Sequence, residues 1–171
     1  MPMSRRDLMD FLGRLGIATT THEHPPLFTV EESQRLRGAI PGGHTKNLFL
    51  KDKKERLFLV VAEEDTAIDL KSLHGRIGSA RLSFGRPELL YETLGVAPGS
   101  VTPFGALNDS ERRVTVVLDE ALLSHDPLNF HPLENTATTA IAGADLIAFL
   151  RATGHEPLIV ALSETVPAGL P

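Results

Sequence analysis

A lysine and an asparagine stand side by side in the run His44-Thr45-Lys46-Asn47-Leu48-Phe49-Leu50-Lys51, at the mouth of an otherwise apolar strand pattern. An ammonium suits a phosphate or carboxylate, and the neighbouring amide both donates and accepts hydrogen bonds. Aimed from a rigid strand towards a pocket, the pair can bind and orient a polar substrate; spacing alone equally fits an exposed strand-end lysine. Further along, Asn129-Phe130-His131-Pro132-Leu133-Glu134-Asn135-Thr136-Ala137-Thr138 forms a second polar cluster. Its His131 is either a site residue or a structural histidine bonded to a backbone carbonyl. Between the two lies Gly95-Val96-Ala97-Pro98-Gly99-Ser100-Val101-Thr102-Pro103-Phe104-Gly105, rich in turn formers that can present N–H groups or simply connect elements. One site built from distant segments is the expectation.

Several chemistries are excluded or weakened by what the chain lacks. There is no cysteine, hence no disulfide, thiolate metal site or cysteine nucleophile. The loop has no Lys-Ser/Thr ending of a phosphate-binding P-loop, and neither G-x-S-x-G nor H-E-x-x-H occurs. His22 and His24 are two apart in a predicted strand and so share a face; with His44 or His131 they are the alternative, a metal-dependent hydrolase. Otherwise the chemistry left is that of positioning a substrate.

At 171 residues, 42% hydrophobic and 23% charged, the chain fits one domain, 1–171, with a real core. No apolar stretch approaches the roughly 18 residues that span a bilayer, and the start has no apolar leader, so no membrane contact and a cytoplasmic location are expected. A net charge of −5 argues against non-specific nucleic-acid binding by the whole surface. The charge is uneven: residues 46–86 carry nine Lys and Arg against six Asp and Glu, about +3, and the remainder about −8. That excess fits a solvated charged turn at 51–56 or a local basic face.

The elements that must position these residues follow from periodicity. Ser4 with Asp7, then Leu8, Phe11, Leu12 and Leu15, predicts an amphipathic helix stopping at Gly16. A strand over 17–22 ends at Pro25-Pro26, and Thr29 with Glu32 is a capping box for a short helix ending near Gly38. Ile40-Pro41-Gly42-Gly43 reads as a flexible loop, and the runs 48–50 and 57–61 as an antiparallel hairpin. Helices are expected after Asp69, from Pro87 to Gly95 and over 145–152; strands over 80–84, 114–118, 136–142 and 158–162. The tail 166–171 is expected to be loosely held. Without regular βαβ alternation, the class is a single α+β domain.

Four of these segments, His22-Glu23-His24-Pro25-Pro26, Thr45 to Lys51, the 94–105 loop and Phe130 to Thr138, occur in an order that resembles the YbaK/ProX aminoacyl-tRNA editing family, most closely its free-standing alanyl-tRNA(Pro) deacylases. The resemblance spans roughly residues 20–160. It implies a mixed, mostly antiparallel and partly barrel-like sheet with flanking helices, and a metal-independent hydrolase without cofactor. The implied reaction is hydrolysis of the 3′ ester on mischarged proline tRNA, chiefly the alanyl ester; relatives acting on cysteinyl-tRNA share the lysine, so cysteinyl and other small-amino-acid esters stand as alternatives. A non-catalytic module binding the acceptor end is another. Carried over residue by residue, Lys46 contacts the acceptor-end phosphate or terminal adenosine, Asn47 helps place ester and water, and His131 lines the aminoacyl pocket. Gly99, Ser100, Val101, Thr102 and Pro103 bound the substrate side chain, with Thr45 and Phe130 also lining it. Arg35 meets tRNA from a helix over 30–37 that covers the acceptor end. The vicinal ribose 2′-hydroxyl is implied to assist, and prolyl-tRNA synthetase or an elongation factor to engage transiently.

Overall fold

The chain organises around one long strand. The computed structural model describes residues 2–26, 35 and 40–162, so the expected capping box at Thr29, the cover helix over 30–37 and the C-terminal tail lie outside the described residues, apart from Arg35. Strand β2 (Gly43–Asp52) runs antiparallel to β3 (Leu57–Glu63), with Thr45 opposite Glu63 and Lys51 opposite Leu57. This is the predicted hairpin, longer than its apolar runs because Gly43 and His44 are already strand. Its turn is held by Asp52, 2% exposed, which accepts bonds from the amides of Lys54, Arg56 and Ala80 and from the Arg56 guanidinium. Burial alone would raise that carboxyl, and these donors outweigh it and hold it below its ordinary value.

Eight strands join in one mixed sheet in the order β1 (Thr19–Glu23), β7 (Ala137–Ile141), β6 (Leu128–Phe130), β2, β3, β5 (Val114–Asp119), β8 (Leu158–Val160), with β4 (Leu82–Phe84) also on β2. Pairings β1–β7, β6–β7, β2–β3 and β2–β4 are antiparallel; β2–β6, β3–β5 and β5–β8 are parallel. The predicted strand bounds shift by a residue or two. Strand β6 has no counterpart in the sequence-based elements, since Leu128-Asn129-Phe130 is too short to show a period.

Alternation splits the core in two. Leu57, Leu59 and Val61 of β3 face Leu8 and Leu12 of α1 (Arg5–Arg14), Leu90 and Leu94 of α3 (Pro87–Leu94), and Phe149 of α4 (Gly143–Ala152). Phe58 and Val60 face Leu73 and Ile77 of α2 (Leu70–Ile77). Strand β3 is therefore apolar on both sides, as a central strand must be. Caps act where expected: Ser4 and Asp7 form a reciprocal capping box on α1, Asp69 caps α2, and Gly95, at φ 69°, ends α3 in the left-handed conformation.

A buried polar chain ties α4 to β5. Thr153 Oγ1 lies 2.9 Å from His155 Nδ1, and His155 Nε2 lies 2.9 Å from Asp109 Oδ2. Asp109 also accepts from the amides of Arg113 and Val114. Burial pushes the Asp109 carboxyl up, but His155 and the two amides outweigh it and hold it below the ordinary value. Asp109→Ala strands His155 in the core and is expected to cost about 3–5 kcal/mol in chemical denaturation. A carboxyl depressed in the folded state contributes fully above its unfolded value near 3.9, and that contribution fades as pH falls through the folded value. Wild-type stability should thus fall more steeply below about pH 4 than that of the variant.

Candidate functional site

The site begins with a break in the pairing of β2. His44 accepts from the Glu64 amide and the Asp52 amide donates to Arg56, so even-numbered β2 residues turn their backbone groups to β3. Odd-numbered ones turn to the opposite edge, where Gly43 donates to Pro127 O and Phe49 accepts from the Gly85 amide. That edge changes partner: β6 pairs with Gly43 and His44, and β4 begins at Leu50. Between them Asn47 turns its N–H and C=O towards an opening in the sheet.

A cleft of about 250 Å³ occupies this opening. Asn47, Leu48 and Phe49 form its strand wall; Phe84, Gly85, Pro87 and Leu90 bound one side, and Pro98 and Val101 the other. The volume is below the roughly 300–1,000 Å³ of drug-sized pockets and suits a small group. Gly85 lies against the Phe49 ring, where any Cβ would clash. Asn47 Nδ2 donates to Thr45 Oγ1 at 3.4 Å, while its Oδ1 is buried with no partner among the described residues. A buried carbonyl oxygen left open beside a cleft is an acceptor awaiting a donor.

The expected Lys46-Asn47 pair does not share this cleft, which corrects the picture of both side chains aimed into one pocket. Adjacent strand residues point to opposite faces, and of the β2 side chains on the Lys46 side only Leu48 borders the cleft. Lys46 takes the face of Leu48 and Leu50, and its Nζ donates to the Thr66 carbonyl beyond β3. One partner leaves the ammonium with two further donors.

The 95–105 loop is a braced wall. Thr102, fully buried, accepts from the Phe104 amide at 3.2 Å, and Phe104, also fully buried, meets the rings of Phe130 and Phe149 edge to face at 5.8 and 5.4 Å. Thr102, Pro103 and Phe130, expected to line the substrate pocket, are instead buried supports. Ser100 is 7% exposed, Val101 lines the cleft, and a Cβ on Gly99 would point at Asn135 Nδ2, 3.5 Å away. Thr45 Oγ1 donates to Asn129 O at 2.8 Å, which ties the Lys-Asn strand to β6. Loop, β2 and the 129–135 segment therefore converge as expected. Arg35 is exposed. Phe49, Phe84, Gly85, Leu90 and Pro98 went unread as site residues; the signal was Phe-Gly-Arg-Pro after a short strand, where an aromatic precedes two breakers.

His131 is half-buried, with Nδ1 3.1 Å from Ala137 O. A carbonyl only accepts, so Nδ1 carries the proton and Nε2 is left as an acceptor. Burial lowers the imidazole pKa, the Ala137 carbonyl opposes this, and His24 adds to the lowering. The rings of His24 and His131 are 6.5 Å apart. Both nitrogens of His24 are engaged, with Pro25 O and Thr138 Oγ1, and His44 Nε2 bonds Ile40 O. Among the described residues no histidine joins a group spaced for a metal; Glu63, Glu64 and Asp65 form such a group where β3 ends and its following turn begins.

Comparison with known proteins identifies the family. The family model for the aminoacyl-tRNA editing domain matches residues 24–149. The chain is 46% identical over 158 residues to the prolyl-tRNA synthetase associated domain-containing protein 1 of Danio rerio, covering 91% of this chain and 86% of that one. It is 40% identical over 145 residues to the prolyl-tRNA editing protein ProX of Acetoanaerobium sticklandii, covering 84% and 88%. A crystal structure of a candidate trans-editing enzyme for prolyl tRNA synthetase superposes with a TM-score of 0.70 over 94% of this chain and 98% of that one; at 23% identity it speaks for the fold. With its four motifs in order and its open-edged strand, the chain belongs to the aminoacyl-tRNA editing domain family.

Proposed function

We propose that the protein hydrolyses the 3′ aminoacyl ester of mischarged proline tRNA, with alanine the preferred acyl group. The observation that carries this reading is the small cleft at the open edge of β2, where Asn47 Oδ1 lacks a donor. An aminoacyl ester brings one, the α-ammonium, and its small side chain suits a cleft of about 250 Å³ that Val101 and Phe49 help to line. The relatives' names supply proline tRNA as the substrate class.

The chemistry asks little of the protein. The ester is already activated, so orienting water and stabilising the oxyanion suffice, and we read the reaction as metal-independent. Water adds to the carbonyl carbon, the bond to the ribose oxygen breaks, and that oxygen takes a proton. Asn47 holds the acyl group, His131 Nε2 accepts from water, and Lys46 meets the anionic acceptor end. Size does the discrimination: a tight pocket rejects proline, whereas a synthetic site cannot strongly reject the smaller alanine. Cysteinyl ester is the competing substrate.

A deacylation panel with Ala-, Cys-, Ser- and Pro-charged proline tRNA is expected to show alanyl ester cleaved fastest and prolyl ester spared, with turnover unaffected by chelator. Binding without turnover overturns the enzyme reading. Lys46→Ala is expected to lower kcat/KM by roughly 10- to 100-fold, the worth of a charge-assisted contact, with the fold intact; near wild-type turnover overturns its role. Since the His131 pKa is lowered, its neutral form persists to lower pH than a free histidine. Activity should hold as pH falls through the ordinary value near 6.5 and decline only below it, and His131→Gln should remove that acid limb.

A further inference from the structure

We propose that β4 and the β2–β3 turn beside it form a docking track for the phosphodiester backbone of an RNA acceptor end, with Phe84 as the platform on which an unpaired base stacks at the mouth of the Asn47 cleft. The proposal rests on the editing reading above for its choice of RNA.

The backbone brings two cations together, because the Lys53 amide donates to Arg81 O at 3.0 Å and so extends the β2–β4 ladder by one step. Lys53, Arg81 and Lys51 line one groove with Ser83. The acids of that groove are spent: Asp52 is buried under its four donors, and Glu55 pairs with Lys51 at 3.4 Å. Lys53 and Arg81 are exposed and have no ion-pair partner among the described residues. Arg81 also borders a second depression with Lys71 of α2. This is the stretch that carries about +3 in a chain of net −5. A polyanion is drawn to that face and repelled by the rest.

Phe84 gives the track its direction. It is 63% exposed, the most exposed of the large apolar side chains described, and it stands on the rim of the cleft that Asn47 lines. Arg81 and Phe84 are three strand residues apart, roughly 10 Å, and lean to opposite sides of β4, so an RNA strand that touches both crosses this exposed edge on its way to the cleft. Cations on an edge strand also discourage pairing with other chains, but an exposed phenyl ring on the same edge works against that purpose. A ring beside free cations at a cleft mouth is the arrangement that holds a single-stranded end, by phosphate contact and base stacking. A phosphate path from Arg81 to Phe84 delivers the terminal nucleotide, and the ester on it, to the cleft.

The test uses the full chain and uncharged proline tRNA, followed by fluorescence anisotropy across a salt series, with Lys53→Gln/Arg81→Gln, Phe84→Ala and, as a control away from the track, Arg14→Gln/Arg151→Gln. All five sites are exposed, and far-UV circular dichroism checks each fold. The track variant is expected to weaken binding and to reduce the slope of log affinity on log salt by roughly 2, one per lost phosphate contact. Phe84→Ala is expected to weaken binding of a short CCA-ended oligonucleotide on the order of tenfold with the salt slope unchanged. The control should bind like wild type. Equal loss in track and control variants, an unchanged track variant, or polyglutamate competing as well as tRNA would each overturn the proposal. Because the probe is uncharged, the two readings fail separately: track-dependent binding without hydrolysis sinks the editing reading alone, and deacylation with track-independent binding sinks the track alone.

Discussion

The structure depends on how one strand is shared. Strand β2 keeps a single partner, β3, along one edge, while its other edge is claimed by β6 near Gly43 and by β4 from Leu50 onwards. A strand must alternate both its side chains and its backbone groups, so the stretch between the two partners opens the sheet at Asn47. The same alternation gives the cleft an amide from Asn47 and sends the Lys46 ammonium to the other face. Two neighbouring residues thereby serve two different surfaces.

Around that opening the protein invests in buried polar anchors. Asp52 closes the hairpin that returns β3, Asn129 Nδ2 bonds both Pro41 O and Gly43 O to set the start of β2, and Asp109 with His155 fixes the approach to β5. Each satisfies several backbone groups at once, which makes the turns specific. At the cleft wall the buried Thr102 hydroxyl accepts from one backbone group, the Phe104 amide. The wall is firm because Phe104 is wedged between Phe130 and Phe149, and a firm wall is what exclusion by size requires.

Much of this was legible beforehand. Ser4 and Asp7, Asp69, Pro87 and Gly95 mark helix ends by local chemistry, and the apolar run of β3 marks a strand buried on both faces. The order of the four motifs identified the family, and convergence of the Gly99 loop with the Asn129 to Asn135 segment followed. Strand β6 was not legible, because three residues carry no period and its pairing with β2 is parallel and distant in sequence. Nor was the division between lining and support: Thr102, Pro103 and Phe130 look like site residues beside Val101 and become core only once β6 lies beneath the loop.

By itself the sequence determined the helix ends, the hairpin, the absence of thiol chemistry and the membership of an editing family, all written in nearest-neighbour chemistry or ordered motifs. Tertiary structure alone decided which edge of β2 stays open, which face each of Lys46 and Asn47 serves, and that Phe84 stands exposed at the cleft. Those outcomes come from pairings between segments far apart in the chain, and no local period encodes which distant strand arrives first.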